Sequence, residues 1–259
     1  MIRERFIDTG RKFLPDGLTL VGGFDFLSHA ERRFVSQVQG RTYAGMFGAL
    51  LSHQTVFRRL EATMAACMPA GHRLVPDPEV VDAVVRSRSA WSVLALTRLI
   101  DLLGLAHYRQ SAGPDEQMEP LWQDALLRHW QELQQCGEQN EAEWRREDAR
   151  LDGAARDRAV GDLIVLIGTL DGILQAQALA DARYFAAACG RAVNDAERAR
   201  VAAALLHAYR WQYIVSGVQV PHFSALLSGM LSAGQHGRIA AALAPLFDPA
   251  AAPQVRWAA

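Results

Sequence analysis

Glu132 and Cys136 are the two residues of this chain whose types and spacing come closest to a reactive pair. Four positions apart on a helix, they share a face. A Cys in a helix seam is usually a small buried hydrophobe, and its thiolate becomes a zinc ligand only together with further nitrogen or oxygen donors. Asp101 stands in an apolar run, Leu99-Ile100-Asp101-Leu102, with His107 six positions on. At about 100° of turn per residue those two point to different faces, so they do not share a metal. The chain has no Gly-x-Gly-x-x-Gly, P-loop, Cys-x-x-Cys or Gly-x-Ser-x-Gly motif, so nothing directs a phosphate, a redox dithiol or an acyl group to it. A formal net charge of -1 gives no electrostatic reason to expect nucleic acid or an anionic membrane as partner. Of 27 basic residues only Lys12 is a lysine, a bias that reads as base composition rather than phosphate binding. Three widely spaced cysteines, Cys67, Cys136 and Cys189, suit a reducing cytoplasm and no disulfide framework.

The elements that must position such residues are all helical. No stretch sustains period-two alternation or carries a hairpin dipeptide, so strands are not expected. With 259 residues, half of them hydrophobic, the chain is long enough for one large domain with a proper core. Residues 1–25 read as an irregular arm, 26–247 as that domain and 248–259 as a frayed tail. Residues 1–25 hold Arg3, Glu4, Arg5 and Asp8 rather than an apolar stretch, so no secretory signal is expected. Ser28 and Glu31 have capping-box spacing, and helical character runs from there to Met68, before Pro69-Ala70-Gly71. Further helices are expected over 79–110, with an interruption near Ser87–Ser89, over 119–151, and over 156–188 with Gly190 as terminator. Asn194 with Glu197 starts another that reaches about Ser216, and Pro221 opens a single last helix to about Leu246.

The most apolar stretch, Leu163 to Ala180, contains Asp171, Gln175 and Gln177, which argues for a buried bundle helix rather than a membrane span. Asp171 and Gln175 share a face and need partners. Arg210 or Tyr213 on the next helix is placed to supply them as an inter-helix lock. Glu141, Glu143, Glu147 and Asp148 interleave with Arg145, Arg146 and Arg150, the pattern of a solvated helix face with i,i+4 pairs. Trp91, Trp122, Trp130, Trp144 and Trp211 read as packing residues.

Several runs, in order, resemble a family of bacterial ferritin-like, di-iron-type proteins. They include FVSQVQGRTYAGMF from Phe34, HQTVFRRL from His53, WSVLALTRLIDLLGLAHYRQ from Trp91 and LRHWQELQQC from Leu127. EWRRED from Glu143, DGILQAQALAD from Asp171 and YRWQYIVSGVQ from Tyr209 continue the series. The resemblance covers about residues 24–245 and implies a four-helix bundle with further C-terminal helices. In such bundles a single Glu and a Glu-x-x-His, each occurring twice, hold two iron or manganese ions.

The chain departs from that pattern at most ligand positions. Where the family has His-Trp-x-Glu-Glu-x-x-His, the ligand Glu is Leu133 here and the ligand His is Cys136, with Glu132 one position too early. Asp101 takes the place of a single Glu. His53 matches the His end of the other Glu-x-x-His, whose Glu position holds Leu50. Some thirty residues between Gly48 and Ser52 are missing relative to the family. The resemblance therefore implies an all-α, ferritin-like fold with a degenerate di-metal centre, acting as a cytoplasmic scaffold or interaction module and needing no cofactor. The alternative is a metal-dependent oxidoreductase or a mononuclear metal-binding protein, with a single zinc or iron ion on a residual site of His53, Asp101, Cys136 and Glu132. Residues 46–57 form either a shortened hairpin with its turn near Gly48–Ser52 or, as the good helix formers Ala49, Leu50 and Leu51 favour, part of one helix over 28–68, which would leave part of the bundle seam uncovered and favour pairing with a second copy.

Overall fold

A computed structural model describes Val75 and residues 78–109, 120–188 and 190–247. Every regular element in these residues is helical. The helices are α1 (Pro78–Arg86), α2 (Ala90–His107), α3 (Pro120–Asp148), α4 (Gly153–Ala188), α5 (Asp195–Arg210), α6 (Pro221–Met230) and α7 (Ala233–Phe247). Helix α5 is prolonged by a π turn, Trp211–Val215, and a last α turn, Ser216–Val218.

The boundaries follow local chemistry. Helix α1 begins at Pro78, where a missing N–H costs nothing. The expected interruption at Ser87–Ser89 is present, and the α2 N-cap, Ser89, makes no side-chain cap of its own. Asp162 of α4 does that work from across the fold. Its Oδ2 accepts the Ser89 N–H at 2.9 Å, and its Oδ1 lies 3.5 Å from Arg88. Asp152 accepts the Ala155 N–H at the start of α4, and Gly190 takes φ +70 beyond its end. The Asn194–Glu197 capping box forms with both of its hydrogen bonds.

The C-terminal segment differs from expectation. It is two helices, broken at Leu231 and Ser232. The Gln235 side chain accepts the Ser232 N–H at 3.1 Å, and Ser232 Oγ accepts the Gln235 N–H at 3.4 Å. This reciprocal cap starts a new helix where a continuous apolar pattern suggested none.

Helix α2 is the centre of the fold. Every residue from Trp91 to Gly104 is buried, as suits a helix apolar on all sides. It packs on α3, α4, α6 and the end of α5. Its partners on α3 run backwards in sequence, Asp148 opposite Trp91 and Asn140 opposite Asp101, so the two helices are antiparallel. One apolar cluster extends from Val81 to Leu246 and includes Trp91, Trp144, Leu163, Leu205 and Ile214. Trp91 and Trp144 meet edge-on at 5.4 Å, and Phe223 of α6 stacks on Trp144 at 5.9 Å, so these two tryptophans are core. A Cβ at Gly217 would lie 2.9 Å from Leu99 Cδ1 and 3.3 Å from Leu103 Cβ. Only glycine lets the end of α5 approach α2 this closely.

Helices α2 and α4 are each long and apolar enough to cross a membrane by length and composition. The apolar window of α2 is 78% buried within the protein and that of α4 44%.

Candidate functional site: a buried ionic cluster

The expected lock between α4 and α5 is present through Arg210. Its Nε donates to Asp171 Oδ1 at 2.6 Å and its Nη2 to Oδ2 at 2.9 Å, while Gln175 donates to Oδ2 at 2.7 Å. This two-pronged geometry gives an ion pair its strongest form. Tyr213, the other residue placed for this role, lies near Asp181 instead. Burial and the Asp181 charge push its phenol well above the usual range. Asp181, fully buried, accepts from Tyr209 Oη at 2.7 Å and from Gln177 Nε2 at 2.9 Å. The polar residues of the apolar α4 are thus paired inside the protein.

A second cluster joins α2, α3 and α6, and it contains the sequence candidate Asp101. That carboxylate is 1% exposed. Its Oδ2 accepts from Asn140 Nδ2 at 2.9 Å and lies 3.8 Å from Arg98 Nη1. Arg98, itself buried, donates through Nη2 to Glu141 Oε2 at 3.0 Å. Among the described residues its Nη1 and Nε have no hydrogen-bond acceptor. Its guanidinium fills the notch left by Gly137, where a Cβ would stand 2.5 Å from Nη1 and 3.8 Å from Asp101 Oδ2. Glu141 also accepts from Arg145 at 3.0 Å and from His222 Nε2 at 2.6 Å. Arg98 and Glu141 therefore extend the buried cluster from Asp101 out to an exposed imidazole.

Opposing effects set the charge states. Burial is the largest influence on Asp101 and pushes it up to about 6, against the pull of Asn140 and Arg98. For Glu141, burial also pushes upward, but hydrogen bonds from His222 and Arg145 and the charge of Arg98 outweigh it and hold the carboxyl below its usual range. His107, at the end of α2, is held down to about 4 by burial.

A testable consequence follows for Asp101. An acid whose folded-state pKa is raised favours folding while protonated. That contribution fades as pH rises from about 4 to about 6, a loss of about 3 kcal/mol for a shift of this size. Urea unfolding of Asp101→Asn should show a flatter stability profile between pH 4 and 7 than the parent. Identical slopes would mean that Asp101 is not a desolvated acid.

Cys136 is half-buried on α3 and carries a thiol, in the position before the Gly137 that faces Asp101. Leu133, on the same helix, is buried. Glu132 is in α3, but its side chain lies outside the described residues, as do His53 and Leu50. Among the described residues, no three His, Cys, Asp or Glu side chains gather closely enough to hold a metal ion.

The charged face of α3 is only partly the solvated surface expected. Arg145 pairs with Glu141 at i,i+4, and Arg146–Glu143 and Arg150–Glu147 pair at i,i+3. Glu141 and Asp148, however, serve the interior. Asp148 accepts from Trp91 Nε1 at 2.9 Å and from Arg156 Nε at 2.8 Å. Sequence reasoning missed Arg98, Asn140 and His222. The signal for Arg98 was present, since an arginine three positions before an aspartate in an apolar helix needs a buried partner. No local pattern marks Asn140 or His222. The chain matches no protein-family model, no curated protein and no solved structure.

Proposed function

We propose that this chain is a ferritin-like helical bundle without a working di-metal centre, a cytoplasmic protein that acts as a scaffold or interaction module. The observation that carries the reading is the guanidinium of Arg98, set in the Gly137 notch 3.8 Å from Asp101. In the resembled family Asp101 corresponds to a carboxylate that balances metal charge. Here an arginine supplies the positive charge, and Asn140 supplies a hydrogen bond to the same oxygen. A divalent ion brought to Asp101 would face that fixed cation. Like unit charges about 4 Å apart repel by about 4 kcal/mol near a protein surface, and a divalent ion doubles the charge. The burial of Leu133 supports the same reading, because an apolar side chain packs where a ligand carboxylate would project.

The test is the elemental content of the purified protein after expression with iron, manganese and zinc supplied. Below about a tenth of a metal ion per chain is expected. Near one zinc per chain, lost on Cys136→Ala, would replace this reading with a mononuclear site including Asp101 and Cys136. Near two irons per chain would restore the di-metal reading and overturn the proposal.

A further inference from the structure

We draw no further inference here: the strongest candidate, the exposed outer face of α4 around Val165, Gly168 and Gly172, carries none, because nothing in the structure shows what covers it.

Discussion

Asp171→Ala should destabilise the protein by about 3–5 kcal/mol, a large part of the 5–15 kcal/mol that holds a typical domain folded. The change removes both oxygens that receive Arg210 and the one that receives Gln175. The guanidinium stays buried after losing its carboxylate, and the cost is that of an uncompensated charge rather than of two hydrogen bonds. Chemical denaturation of the single variant and of Asp171→Ala with Arg210→Met separates these terms. The double variant should recover at least half of the loss, because removing both partners leaves no stranded charge. If it is no more stable than the single variant, the lock acts through packing alone.

Arg98→Met should be nearly as damaging, by about 3–4 kcal/mol at pH 7.5, with a signature that Asp171→Ala lacks. Without Arg98, Asp101 and Glu141 lose the cation beside both of them. Protonating Asp101 relieves that loss, so the variant should be closer to the parent at pH 5 than at pH 7.5. Adding Asp101→Asn should return most of the stability at the higher pH. A deficit that is the same at both pH values would show that Arg98 matters for its volume in the Gly137 notch and not for its charge.

The helices were legible because their signals are local. The Asn194–Glu197 box, Pro78, Gly190 and the break at Ser87–Ser89 each act within a turn or two of chain, and each appears in the structure. The break at Leu231 had an equally local signal in Ser232 and Gln235, but the apolar periodicity continuing across it concealed the cap. The Asp171–Arg210 lock was legible because a carboxylate in so apolar a helix must find a partner, and few cations were in reach. The cluster at Asp101 was half legible. Its buried acid stood out, but its partners are set by how α2, α3 and α6 meet. Asn140 is 39 residues from Asp101 in sequence, and His222 is 81 from Glu141. Residues so far apart are joined by packing, and no spacing rule predicts them. The role of Glu141 was misread for the same reason, since a surface i,i+4 pattern and an inward-facing acid look alike along a single helix.

The π turn at Trp211–Val215, closed by the Ser216 N–H to the Trp211 carbonyl, holds one residue more than an α turn would. That surplus acts as a phase shift for everything after it. Deleting one residue there would restore an unbroken α-helix and rotate the following turn by about 100°. Gly217 would swing away from Leu99, and a residue with a side chain would enter a gap that has no room for a Cβ. Single-residue insertions and deletions should therefore be tolerated in the link between α4 and α5 around Arg191–Val193, and not at 211–217, although both lie in the same C-terminal half of the chain.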